Sequence, residues 1–312
     1  MKVIPFFFAC LFGAAAFAQH SFKIIPLGVK GGGDESDLSS YMLAVAGTEN
    51  YVCLDAGTIR AGLKLSVETH ALQGSVEALL RNNIKGYLIS HGHLDHVAGL
   101  ILNSPDDSMK NIYCMPYVKD IFKEKYFTAG PWSNFSDEGE VPLNKYHYVV
   151  LDTAKEVPLA HTNMFVTAFP LSHGNPYKST AFLVRHNEDH ILYLGDTGPD
   201  DIEHSDDLMA VWKDIAPLIK TKKLKAIFIE CSFPDEQPDD KLFGHLNPRW
   251  LMMELDRLTL ITGDRALKNF PVVITHIKPG GNHEQQIKKQ LAAENHLGIK
   301  LIYAEQGKAL LF

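Results

Sequence analysis

The chain has 312 residues, 46% of them hydrophobic and 21% charged, a balance expected of a folded globular protein rather than a disordered one. With 37 acidic against 30 basic residues it carries a net charge of −7 when histidine is neutral, which excludes an electrostatic surface for long nucleic acids. An anionic ligand would have to be drawn in locally, against the overall field.

Lys2 precedes an apolar run over 3–18 that ends in Ala16-Phe17-Ala18 before Gln19. A basic start, an apolar stretch and a small-residue site predict a secretory signal over 1–18, cleaved to leave a periplasmic chain of 19–312. The run is too short and wrongly flanked for a membrane anchor, and no other segment reads as a span. Cleavage leaves Cys53, Cys114 and Cys231, an odd set at wide spacing that is no disulfide framework. Cys53 and Cys231 sit in strand-like apolar runs and read as small core residues.

Residues 22–27 predict a strand. Gly31-Gly32-Gly33 fits a flexible turn or a backbone cradle for phosphate. The runs 41–45 and 51–55 predict a hairpin turning through 47–50. Asp55, before Ala56-Gly57, is placed either for a plain turn or to orient a ligating histidine. Residues 75–81 have helical spacing.

The apolar run 87–89 then leads into His91-Gly92-His93-Leu94-Asp95-His96-Val97-Ala98-Gly99. Alternate residues of an extended stretch point the same way, so His91 and His93 can share one ion. Asp95 and His96 come one turn later, where the chain bends into 97–102, and can serve a second. Imidazole and carboxylate suit zinc, manganese or iron.

The stretch 127–145, rich in Gly and Pro, predicts a long loop of the kind that often serves as a functional lid. Its Trp132 and Phe135 suit either stacking on a base or packing beneath the loop. Further strands are predicted near 163–169, 179–185, 189–195, 225–230 and 271–275, and helices over 206–220, 247–262 and 283–296. His173, Asp196 and His276 each stand at the C-terminal end of an apolar strand. His20, His70, His147, His161, His186, His190, His204, His283 and His296 lack ligand spacing and read as surface or structural. Two strand-rich halves, each with helices, predict an αββα sandwich whose ligand clusters meet at one sheet edge.

The six residues from His91 to His96 resemble the signature of the metallo-β-lactamase superfamily of binuclear hydrolases. The longer string from His91 to Pro105 resembles that of the class II 3′,5′-cyclic nucleotide phosphodiesterases, and the likeness covers nearly the whole chain after residue 20. It implies one hydrolase domain over 19–312 with the four-layer αββα metallo-β-lactamase fold. It also implies two divalent transition-metal ions, zinc by expectation. His91, His93 and His173 would hold one; Asp95, His96 and His276 would hold the other; Asp196 would bridge. Such ions lower the pKa of bound water from 15.7 toward about 7 and draw charge from a phosphoryl oxygen. Asp at 196 favours the phosphodiesterase, glyoxalase II and tRNA-processing branches, because metallo-β-lactamases proper usually carry Cys there.

Glu230, in Ile229-Glu230-Cys231-Ser232, and His245, in Gly244-His245-Leu246, resemble a pair in which a carboxylate orients a histidine that protonates the departing alkoxide. Capping of the helix near Asn247 is the other role open to His245. His245, Glu230 and Asp95 are the candidate catalytic residues. The implied activity opens cyclic AMP, and cyclic GMP as a further substrate, to the 5′-monophosphate. The implied partner is a small cyclic nucleotide, without stable membrane association; the oligomeric state stays open, a homodimer included. A thioester or lactone hydrolase of the glyoxalase II or lactonase kind would use the same ions with less need of His245. A metal- or nucleotide-binding protein without turnover is disfavoured by the complete ligand set.

Overall fold

Several strands are apolar on both faces, which is stable only where each face is covered. In β3 (Tyr51–Leu54), Tyr51 and Cys53 face one apolar cluster while Val52 and Leu54 face another. In β11 (Leu224–Glu230), Ala226 and Phe228 face that same second cluster while Ile227 and Ile229 face a third. The computed structural model describes residues 20–312, so the expected signal over 1–18 lies outside the described residues.

Two seven-stranded sheets result. The first runs β14 (Leu310–Leu311), β1 (Phe22–Gly28), β2 (Ser40–Val45), β3, β4 (Ile84–Ile89), β5 (Lys110–Cys114), β6 (Tyr146–Val150). The second runs β13 (Lys300–Tyr303), β12 (Pro271–Thr275), β11, β10 (Asp189–Leu194), β9 (Lys178–His186), β8 (Met164–Ser172), β7 (Glu156–Leu159). Leu43, Val52 and Leu88 of the first sheet pack against Val166, Phe182, Ile191 and Phe228 of the second. The first sheet's other face carries the helices Arg60–Glu68, Leu94–Asn103 and Pro116–Ile121 through Leu63, Val97, Leu100 and Val118. The second sheet's other face carries Asp207–Lys220, Pro248–Thr262 and His283–Glu294 through Trp212, Ile215, Leu251, Leu255 and Leu291. The layers are therefore αββα, as expected. Each fully buried side chain of this kind contributes roughly 1.5–3 kcal/mol.

The hairpin is β2–β3, with Tyr41 opposite Leu54. The 75–81 pattern becomes a short turn, Val76–Ala78, whose Ala78 N–H donates to Ser75 Oγ at 3.2 Å, followed by a wider π turn over Leu79–Asn83. The helix Arg60–Glu68 is absent from the sequence reading. A Cβ at Gly62 would lie 2.1 Å from the Leu27 carbonyl oxygen, so only glycine lets this helix close on β1.

The 127–145 stretch is a loop, but it does not cover the cleft described below, whose lining includes none of its residues. Phe135 is buried and Trp132 half-buried in the cluster outside the first sheet, with Trp132 Nε1 donating to Ser104 Oγ at 3.0 Å. Packing, not base stacking, is what these two rings do. Among the described residues, no helix is long and apolar enough to cross a membrane.

What matters for chemistry is where the strands stop. β3 pairs parallel to β4, and β10, β11 and β12 pair parallel to one another, with Glu230 opposite Thr275. Parallel strands end together, so the residues that follow them emerge at one edge, where ligands of open α/β sheets bind.

A candidate metal centre at the strand ends

Asp196 follows β10 and is buried. Its Oδ2 lies 3.2 Å from His96 Nε2, 3.2 Å from His276 Nε2, 3.7 Å from His91 Nε2 and 3.8 Å from His173 Nε2. His276 Nε2 is also 3.2 Å from Asp95 Oδ2, and His93 Nδ1 is 3.2 Å from His173 Nε2. Donor atoms of His91, His93 and His173 lie within 4.8 Å of one another, and so do those of Asp95, His96, Asp196 and His276. All seven expected ligands thus converge, in two sets that meet at one carboxylate.

The ring orientations follow from two buried carboxylates. His96 Nδ1–H donates to Asp55 Oδ2 at 2.8 Å. Ser90 Oγ–H donates to the same oxygen at 2.7 Å, and Ser90 Oγ lies 3.0 Å from His91 Nδ1. Ser90 N–H and Tyr193 Oη–H add bonds to Asp55, each of 2.7 Å. On the other side, His245 Nδ1–H donates to Glu230 Oε1 at 2.8 Å. Ser232 Oγ–H donates to Glu230 Oε2 at 2.6 Å and sits 2.9 Å from His276 Nδ1. Each carboxylate therefore orients one imidazole directly and another through a serine. A serine hydroxyl has one proton; once it is given to the carboxylate, its oxygen can only accept from the ring. The Nδ1 atoms of His91, His96 and His276 are thereby protonated and their Nε2 lone pairs are freed.

The Nε2 atoms of His91 and His96 are buried and have no hydrogen-bond partner. Such a buried orphan costs roughly 1–3 kcal/mol unless something binds it. Nitrogen and carboxylate donors aimed at one point are the donor set of a divalent transition-metal site, and the residues fit one.

Electrostatics agree. Burial holds His91 and His93 below the ordinary imidazole range and takes His173 down to about 4, which favours neutral, ligating rings. Burial raises the Asp196 carboxyl, but the neighbouring His276 and His96 outweigh it and keep it well below the usual range. Burial lowers His96, but Asp196, Asp55 and Asp95 outweigh it and raise it, so a cation bound at Nε2 would take the place of the proton this field favours. The same negative field attracts a cation.

Glu230 also accepts the Thr197 N–H at 2.9 Å and the Leu246 N–H at 3.3 Å. Burial alone would raise it; the His245 imidazole outweighs this and holds it below the ordinary range. His245 lines a cleft of about 450 Å³ together with Asp95, His173, Asp196 and Lys278.

Gly31-Gly32-Gly33 takes a part in the centre itself. Gly32 N–H donates to Asp95 Oδ2 at 2.8 Å, and a Cβ on Gly31 would lie 2.2 Å from the His276 ring. Cys231 is a core residue outside the second sheet, its thiol pushed up by burial. The sequence reading gives no role to Ser90, Ser232, Tyr193 or Lys278. The serines share the strand-end position of the ligands; Tyr193 sits inside an apolar strand and carries no signal.

A family model for class-II cAMP phosphodiesterases matches residues 67–307. The 3′,5′-cyclic-nucleotide phosphodiesterase of Aliivibrio fischeri is 42% identical, over 98% of this chain and 97% of that protein. The crystal structure of unliganded yeast PDE1 aligns with a TM-score of 0.83 at 23% identity, over 94% of this chain and 100% of that one. The metallo-β-lactamase fold protein YhfI of Bacillus subtilis aligns at 0.62 and 14% identity, over 93% and 99%. The two-sheet frame is the metallo-β-lactamase fold. The chain belongs to the class II cAMP phosphodiesterase family.

Proposed function

We propose that this chain hydrolyses 3′,5′-cyclic nucleotides, cyclic AMP and cyclic GMP, to nucleoside 5′-monophosphates, using two divalent ions that we take to be zinc. His91, His93 and His173 would hold one ion, Asp95, His96 and His276 the other, and Asp196 both. Bound there, the ions supply an activated water at neutral pH and draw charge from the phosphoryl oxygens. We also propose export through the 1–18 segment, with 19–312 acting as one domain in the periplasm.

The observation that carries this reading is the His245–Glu230 pair beside the ligand cluster. In a 3′,5′-cyclic nucleotide the 3′-oxygen leaves as a strongly basic alkoxide and needs a proton. His245 donates it. Glu230, buried and ionised, holds the ring by Nδ1 and stabilises its protonated form. Lys278, on the same cleft wall, supplies positive charge for the phosphoryl group. A thiol leaving group would need no such acid, so the pair favours a phosphodiester over a thioester.

His245→Ala tests this. It should lose roughly 10²–10⁴-fold in kcat on cyclic AMP, the range for a removed general acid. A bis-nitrophenyl phosphodiester releases a weakly basic phenolate, so the loss there should be much smaller, at unchanged metal content. Equal losses on both substrates would remove His245 from the acid role.

A further inference from the structure

Tyr177 is 59% exposed and belongs to none of the three apolar clusters. Its backbone nevertheless is tied into a turn. Tyr177 N–H donates to Gly174 O at 3.0 Å, and His173 N–H donates to Tyr177 O at 3.4 Å, so the turn that presents the ring closes on a candidate ligand. The ring packs against the His93 imidazole at a steep angle of 67°, with centroids 5.2 Å apart.

Tyr177 stands between two cavities and lines both. One is the cleft with Asp196, His245 and Lys278. The other, of about 410 Å³, shares His93 and Tyr177 with it and is walled by Tyr117, Ile121 and Pro176. Tyr117 is held in place by its hydroxyl, which donates to Ser179 O and lies 2.7 Å from Thr180 Oγ1. Asp120 and Lys178 complete this second lobe with one acceptor and one donor group.

A cyclic nucleotide is a compact anionic phosphate joined through ribose to a flat apolar-faced base. Phosphate at the ligand cluster leaves the base to find an apolar wall nearby. We infer that the lobe walled by Tyr117, Ile121 and Pro176 is the nucleobase subsite, and that Tyr177 is its stacking platform. This rests on the cyclic-nucleotide reading above. The lobe falls in the size range of small-molecule sites. Every base has a π-face, and the rim offers both a donor and an acceptor, so the lobe takes adenine and guanine alike.

The test compares kcat/KM for cyclic AMP with that for methyl riboside 3′,5′-cyclic phosphate, which keeps the reacting phosphate and lacks the base. The ratio of the two should fall about tenfold or more in Tyr177→Ala, a typical effect of removing one stacking ring. Tyr177→Phe should keep the ratio. Ile121→Trp, which fills the lobe and leaves Tyr177 in place, should lower it. Damage to the metal centre would reduce both substrates together and leave the ratio alone. An unchanged ratio in Tyr177→Ala and Ile121→Trp overturns the inference while wild-type turnover of cyclic AMP leaves the enzyme reading standing. Metal-loaded wild type that turns over neither substrate overturns that reading, and the inference with it.

Discussion

Ser232 does two things with one hydroxyl: it donates to Glu230 and accepts from His276. Ser232→Ala removes both bonds and frees the His276 ring to take the wrong tautomer. Metal affinity should fall roughly 10–100-fold, as for other residues that orient a ligating imidazole. Ser232→Thr, which keeps the hydroxyl, should restore it. Titration against a competing chelator measures this, and an affinity unchanged by Ala would refute the relay. Ser90, between Asp55 and His91, does the same on the other side. The ligand-type residues were legible because His and Asp are uncommon endings for apolar strands and here recur in order. The serines were not, since a serine at a strand end is an ordinary polar terminus. Two roles are open to Asp55 in the sequence, and the 2.8 Å bond from His96 decides between them. Tyr193 was invisible because alternation reads a strand tyrosine as core, and only the folded chain brings its hydroxyl to Asp55.

At the scale of elements, long segments with a clear period were legible and short ones were not. The helices Asp207–Lys220, Pro248–Thr262 and His283–Glu294 lie close to their expected spans. β7 and the helix Pro116–Ile121 are too short to show a period. β14 belongs to the first sheet through a pairing of Leu311 with Lys23 that no local pattern encodes. The helix His283–Glu294 ends on a carboxyl in an unfavourable place. Burial, and then the neighbouring Asp235, raise Glu294 to about 7, above its ordinary 4.5. The negative end of the helix dipole acts in the same sense. The folded chain therefore binds this proton more tightly than the unfolded chain. That stabilisation is full below about pH 4.5 and is lost as pH rises through about 7. Glu294→Gln removes the titration, so its Tm relative to wild type should climb between pH 5 and pH 8. A difference that stays flat or shrinks over that range would show that Glu294 is not strained.

At the scale of the whole molecule, two sheets that each need covering on both faces bring six strand ends to one edge. The site draws on both halves: Asp55, Ser90, His91, His93, Asp95 and His96 from the first, His173, Asp196, Glu230, His245 and His276 from the second. Neither half holds a complete set of the proposed ligands, so binding of ions there would be coupled to folding of the sandwich. A chain of net charge −7 concentrates buried carboxylates at this edge, and cations bound there would convert a repulsive cleft into one that accepts a phosphate. The most direct measurement is product chromatography from cyclic AMP with protein stripped by a chelator and then reconstituted with zinc. The account predicts 5′-AMP, formed only after zinc is restored and reaching full rate near two ions per chain. Release of 3′-AMP, or an undiminished rate in the stripped protein, would contradict it.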